Sequence, residues 1–241
     1  MYQLIWEPAQ LAFVLALLQV TVGFVSYFFI SESKAAHQYI TKRYGSEKAI
    51  SYKIFFQRYT GVFCLGVFPL LLQWLVIPSS TWESFGFAFK NMLTSLYWTL
   101  GLGGVILLMA FLNAKKEDNL AMYPQIRQEV WTHRLLFFNA FSWAAYLFAY
   151  EILFRGLLLF GTASLVGAIP AIAINASIYS IAHIPKGIKE TIGAIPLGIV
   201  LSILTFQTET IWIAFGVHVI MALSNDSFSL YYQPNMYLKK A

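Results

Sequence analysis

Four residues in the second half of the chain, Glu151, Arg155, His183 and His218, could do chemistry inside a membrane. Each lies in an apolar run, where an ionisable side chain is costly and needs either a partner or a function. Glu151 and Arg155 are one helical turn apart, so they can form an ion pair that hides both charges from lipid. A carboxylate and an imidazole can also activate water, while a second imidazole donates to the oxyanion at an attacked carbonyl. The residue types alone leave both interpretations open.

Two other kinds of site use the same residue types. A His/His/Glu set can bind zinc, but no H-E-x-x-H pair lies on one helix, so a zincin-type site has no support. Intramembrane Glu and His residues also serve proton and ion pathways, which makes a transporter a third interpretation. No cofactor is predicted with support, and a divalent metal such as zinc stays an alternative.

The composition predicts a membrane protein. Of the 241 residues, 59% are hydrophobic and 11% are charged, whereas an average soluble domain has about 25% charged residues. The net charge of +5 could suggest a nucleic-acid partner. However, no basic run interleaves with exposed aromatic residues, so we expect a lipid bilayer and no nucleic acid as partner.

Seven apolar runs predict an all-α, polytopic transmembrane helical bundle of about seven helices, in a single membrane domain covering residues 1–241. A membrane helix needs about 20 such residues, and segment 31–53 is polar and predicted to lie outside the membrane. With a rise of about 1.5 Å per residue, Glu151, His183 and His218 fall roughly 11–20 Å from the outer ends of their helices. They can therefore meet in the middle of the membrane. The runs are 11–30, 54–77, 92–112, 135–160, 165–185, 192–206 and 211 to about 223.

Basic residues predict the orientation. If seven helices alternate in direction, all Lys and Arg residues except Lys90, Arg58 and Arg155 lie in segments at one end. The positive-inside rule then places the N-terminus outside and the C-terminus in the cytoplasm. Arg58 is close enough to the cytoplasmic end for its side chain to snorkel there.

Three short motifs resemble those of the CPBP family, which comprises type II CAAX prenyl endopeptidases and bacteriocin-processing or immunity (Abi) proteins. Segment 150–156, YEILFRG, resembles the family's E-E-x-x-x-R-G. Segment 179–183, YSIAH, resembles F-x-x-x-H, and segment 218–222, HVIMA, resembles H-x-x-x-N. The order and spacing agree, and the resemblance covers a core of about residues 143–226.

The resemblance implies an intramembrane endopeptidase of a bacterial cytoplasmic membrane. Its substrate would be a peptide or membrane protein, cut in a cavity between the helices of the fourth, fifth and seventh runs. Glu151 and His183 would activate water, His218 would stabilise the oxyanion, and Arg155 would support Glu151.

Two positions depart from the family pattern. Tyr150 stands where the family has the Glu taken to activate water, and Ala222 stands where it has the Asn that helps to hold the oxyanion. Tyr179 replaces a Phe, and its hydroxyl can hydrogen-bond within the cluster. Asn225, two helical turns after His218, could supply the lost amide. The alternative function is therefore a catalytically impaired member that acts as a membrane peptide-binding, immunity or scaffold protein.

Overall fold

The computed structural model of the chain describes residues 7–239, and within them nine helices form, which confirms the helical bundle. Six of these helices are long and apolar enough to cross a membrane, and a seventh, α7, is apolar but shorter. The chain is thus an integral, multi-pass membrane protein. The helices are α1 Pro8–Ser31, α2 Lys34–Tyr44, α3 Ser46–Val76, α4 Met92–Asn113, α5 Glu117–Met122, α6 His133–Val166, α7 Ala168–Ala182, α8 Ile188–Thr208 and α9 Trp212–Tyr232.

Segment 31–53, predicted only as a polar segment outside the membrane, forms α2 and the first part of α3. Ser33 caps α2 by accepting a hydrogen bond from the backbone N–H of Ala36, which satisfies one of the free donors of the first turn. Ile40 is buried and turns the apolar side of this short helix toward its neighbour. The sequence did not predict this amphipathic helix, because a helix that buries only one face needs no continuous apolar run.

Two glycines set the directions of the helices that carry the motifs. Gly167 separates α6 from α7 with φ of 81°, and Gly187 precedes α8 with φ of 93°. Residues with a side chain rarely adopt this conformation, so glycine is the residue that permits each tight reversal. The reversals bring α7 back along α6 and place α8 beside α7.

Contacts between loops show that successive helices run between two ends of the bundle. At one end β1 (Val130–Trp131), just before α6, pairs in parallel with β2 (Tyr237–Leu238), just after α9. At the same end Lys189 pairs with Asp118 of α5, and this hydrogen bond lowers the pKa of the Asp118 carboxyl. At the opposite end Phe87 forms a bridge with Thr210. The basic segments therefore share one end, while the membrane side it faces stays a prediction.

Helix α6 is the central helix of the bundle. In its most apolar stretch 72% of the residues are buried inside the protein, against 17–44% for the other five long helices. A π-helical segment, Ile152–Leu159, follows Glu151 directly, and all of its residues are buried. Such wide turns are rare and occur frequently at functional sites. Because Glu151 and Arg155 are fully buried in this central helix, neighbouring helices shield both side chains from lipid.

Arg58 does not snorkel, so that prediction is wrong. Its side chain is buried, and Nη1 donates to Asn139 Oδ1 at 2.9 Å and to Ser142 Oγ at 2.8 Å. Nη2 lies 3.9 Å from Asp226 Oδ2, and the guanidinium stacks over Trp143 at 4.1 Å. Partners on α6 and α9 satisfy the cation within the bundle, so it has no need to reach the membrane surface.

Candidate active site

The motif residues Glu151, Arg155 and His218 form one buried cluster. Glu151 and Arg155 have no exposed surface, and His218 is 7% exposed. Glu151 Oε1 accepts a hydrogen bond of 2.5 Å from His218 Nδ1, and Arg155 Nη1 lies 3.3 Å from Glu151 Oε2. One carboxylate thus faces a guanidinium and an imidazole together, which offsets part of the cost of burying its charge.

Tyr179 extends this cluster on the other side of His218. The two side chains are joined by a hydrogen bond of 2.7 Å between the Tyr179 hydroxyl and His218 Nε2. Because an ionised carboxylate can only accept, His218 Nδ1 carries the proton shared with Glu151. In the neutral ring Nε2 is then the acceptor, and the Tyr179 hydroxyl donates to it. Both ring nitrogens of His218 are therefore engaged by protein groups.

His183 lies beside this chain of hydrogen bonds and is bound to it through the backbone. Its Nδ1 donates to the Tyr179 carbonyl oxygen at 2.7 Å, and the two rings lie 4.5 Å apart. Because a carbonyl only accepts, the proton of the neutral ring is on Nδ1 and Nε2 keeps its lone pair. His183 is half-buried. No hydrogen bond joins it to Glu151 among the residues described, so the geometry pairs Glu151 with the other histidine.

Tyr150, at the position of the family's first Glu, faces both histidines. Its ring centre lies 6.2 Å from that of His183 and 6.4 Å from that of His218. The side chain is buried, and within residues 7–239 its hydroxyl has no hydrogen-bond partner. An unsatisfied buried polar group costs about 1–3 kcal/mol, so its presence beside two histidines needs a reason.

The amide expected near His218 has no direct substitute. Ala222 is buried one turn after His218 and carries no hydrogen-bonding side chain. Asn225 is half-buried and, in the described part of the chain, its side chain forms no hydrogen bond. Its neighbour Asp226 is buried instead, and accepts from Trp143 Nε1 at 2.7 Å.

Asp226 is the buried carboxylate that sequence reasoning missed. The seventh apolar run ends near residue 223, so Asp226 falls outside it, whereas α9 continues to Tyr232. If the predicted helix is extended beyond residue 223, Asp226 falls on a buried face of α9, where it meets Arg58 and Asn139.

The residues of the cluster do not fit a metal site. Within residues 7–239 no three His, Cys, Asp or Glu side chains are arranged to hold a metal ion. His218 has no nitrogen left for a ligand bond, and His183 has one.

The cluster is closely packed rather than open. Two cavities, of about 490 Å³ and 280 Å³, lie elsewhere, and no cluster residue lines either of them. Aromatic rings enclose the polar groups, with the Arg155 guanidinium 4.4 Å above the Tyr179 ring. His183 is the most exposed member of the cluster.

Comparison with known proteins identifies the part of the chain that carries this cluster. Residues 130–224 match the family model described as type II CAAX prenyl endopeptidase Rce1-like. No curated protein and no solved structure gives a significant match. The matched segment runs from β1 to α9 and contains Tyr150, Glu151, His183 and His218. In this segment the chain is similar to the CAAX-type intramembrane proteases, which supports the resemblance to the CPBP family seen in its motifs.

Proposed function

We propose that the chain is an intramembrane endopeptidase that uses His183 as the general base. The observation that carries the proposal is a set of three hydrogen bonds: Glu151 binds His218, His218 binds the Tyr179 hydroxyl, and the Tyr179 backbone carbonyl binds His183. A carboxylate that orients an imidazole, which in turn fixes a further group, is a recurrent arrangement in hydrolases. Here the series ends at His183 Nε2, a nitrogen with a free lone pair and no described partner.

In the proposed reaction, His183 Nε2 takes a proton from a water molecule as the water oxygen attacks the carbonyl carbon of the peptide bond. The tetrahedral intermediate then collapses, the carbon–nitrogen bond breaks, and His183 returns the proton to the leaving amine. The Tyr150 hydroxyl, which has no other partner, donates to the oxyanion. Tyr150 thus takes the donor role that the sequence resemblance assigns to His218.

Of the three residues assigned to catalysis from sequence, His183 touches the reacting water in this proposal. Glu151 and His218 are positioning residues, because Glu151 holds His218, His218 holds Tyr179, and neither contacts the substrate in this proposal. Arg155 lies 3.3 Å from Glu151 Oε2, and this ion pair offsets part of the cost of burying both charges. Asn225 has no part in the proposed reaction.

The test is cleavage of a mixture of synthetic peptides, with and without a prenylated cysteine, by the purified full chain in detergent. We expect His183→Ala to lower the cleavage rate by about 10²–10⁴, the usual contribution of a general base. The matched control is His133→Ala, because His133 is exposed and lies at the start of α6, away from the cluster. Equal cleavage by the two variants would overturn the role of His183.

The second candidate is a binding protein that keeps the fold without cleavage. It is favoured by the close packing of the cluster and by the engagement of both His218 nitrogens. In that case the wild-type chain cleaves no peptide. The double variant Tyr150→Glu/Ala222→Asn, which restores the family residues, cleaves none either. Binding of the same peptides, measured by fluorescence anisotropy, is then retained in His183→Ala.

A further inference from the structure

A basic cavity of about 490 Å³, shallow and largely open to its surroundings, lies between α2 and the start of α3, far in sequence from the candidate active site. Its lining contains three lysines, one histidine and two uncharged polar residues, and no carboxylate. The lining residues are Lys34, His37, Gln38, Thr41, Lys42 and Lys53.

The three lysines carry uncompensated charge. In the described part of the chain none of them takes part in an ion pair; Lys34 and Lys42 are exposed, and Lys53 is half-buried. The nearby carboxylate of Glu32 accepts from Gln57 Nε2 at 3.1 Å and does not line the cavity. Three like charges around one concavity create a positive potential that attracts an anion.

The walls of the basic cavity are held in place by local hydrogen bonds. His37 Nε2 donates to the Ser31 carbonyl at 2.8 Å, and Thr41 Oγ1 donates to the His37 carbonyl at 2.9 Å. Ile40 of α2 is buried and does not line the cavity. The ammonium groups and the Gln38 amide remain free to donate, and charged donors of this kind bind phosphate oxygens.

The position of the cavity indicates which phosphate it meets. It lies where α1 ends at Ser31 and α3 begins at Ser46, two helices that cross the membrane. Tyr39, Tyr44 and Tyr52 are exposed on the same helices, and tyrosines of membrane proteins are enriched at headgroup level. We propose that the basic cavity binds the phosphate of an anionic phospholipid headgroup in the adjoining leaflet.

The test compares two triple variants of the full chain in neutral detergent. In the first variant, the three lysines of the cavity, Lys34, Lys42 and Lys53, are changed to Gln. In the second, three exposed lysines that do not line the cavity are changed to Gln: Lys48, Lys116 and Lys239. Phosphatidylglycerol, phosphatidylcholine or inorganic phosphate is added, and the unfolding temperature is followed. Since a basic residue near a lipid surface contributes about fivefold, we expect the first variant to need about a hundredfold more phosphatidylglycerol for the same rise. The second variant should respond as the wild type does.

Three results would overturn the proposal. They are no rise with phosphatidylglycerol, an equal loss in both triple variants, and an equal rise with inorganic phosphate, which would identify a free anion as the ligand. If the first triple variant does not fold, Gln38→Glu places a carboxylate in the cavity and keeps every lysine. Unchanged phosphatidylglycerol binding by Gln38→Glu would also contradict the site.

Discussion

At the scale of single residues, the candidate site is defined by which polar atoms have partners and which do not. Glu151 accepts a hydrogen bond from one ring nitrogen of His218, and the Tyr179 hydroxyl donates a hydrogen bond to the other. The Tyr150 hydroxyl and His183 Nε2 have no hydrogen-bond partner among the described residues, and these are the two groups that the proposed reaction uses. Glu151 Oε2 also accepts no hydrogen bond, but it faces the Arg155 guanidinium at 3.3 Å. The proposed roles of these side chains rest on hydrogen-bond geometry, which the motif spacing could not supply.

Changing Tyr150 to Phe removes only the hydroxyl. Because that hydroxyl has no partner within the described residues, we expect stability to stay the same or rise by about 1 kcal/mol. The loss of an oxyanion donor should lower kcat by about 10²–10³. Thermal unfolding and peptide cleavage measured on one preparation separate the two effects, and an unchanged kcat would remove Tyr150 from the reaction.

Changing Tyr179 to Phe leaves His218 Nε2 buried without its donor. We expect a loss of about 1–3 kcal/mol in the free energy of unfolding, since an unsatisfied buried group pays its full desolvation cost. The matched control, Tyr231→Phe, changes a residue that is 82% exposed and should have no effect. A stability of Tyr179→Phe equal to that of the control would argue against the hydrogen bond.

At the scale of elements, α6 connects two buried polar clusters. Its first half carries Asn139, which meets Arg58 of α3 and Asp226 of α9. Its π-helical segment begins after Glu151 and carries Arg155. One helix thus fixes the relative positions of α3, α7 and α9 around the site.

The sequence predicted the helices that have a continuous apolar run, because the bilayer demands one. It also placed Glu151, His183 and His218 at compatible depths, and the structure joins Glu151 directly to His218, whereas His183 binds the Tyr179 backbone. It did not predict α2 or the length of α9, because polar residues such as Asp226 can lie on a buried helical face when a partner such as Arg58 faces them. Pairings of this kind depend on tertiary contacts between distant segments, which periodicity cannot show.

The Arg58 cluster gives a stability prediction. Arg58→Met leaves Asp226 buried without its cation, and we expect a loss of about 3–5 kcal/mol. Changing both residues, to Met and Leu, should cost less than Arg58→Met alone. The control is Lys90→Met, whose ion pair with Glu209 is exposed and should contribute less than about 1 kcal/mol. Denaturation in mixed micelles measures all of these variants, and equal effects at Arg58 and Lys90 would contradict the buried pair.

At the scale of the whole molecule, the basic segments lie at one end of the bundle. The pairing of β1 with β2 and the contact of Lys189 with Asp118 place the tail, the α4–α6 connection and the α7–α8 turn together. The positive-inside rule assigns this end to the cytoplasm.

Single cysteines test that orientation. In a Cys64→Ser background, a membrane-impermeant thiol reagent added to intact cells should label Ser79→Cys, an exposed site in the α3–α4 connection. It should not label Lys116→Cys or Lys239→Cys until the cells are opened. The reverse pattern would invert the predicted topology.

The central claim, that the chain hydrolyses peptide bonds with His183 as base, is tested most directly by cleavage in water enriched in oxygen-18. Mass spectrometry of the products then reports whether the new carboxyl terminus carries an oxygen atom from the solvent. We expect labelled product from the wild-type chain and from His133→Ala, and almost none from His183→Ala. No labelled product from the wild-type chain, or equal amounts from His183→Ala, would contradict the account.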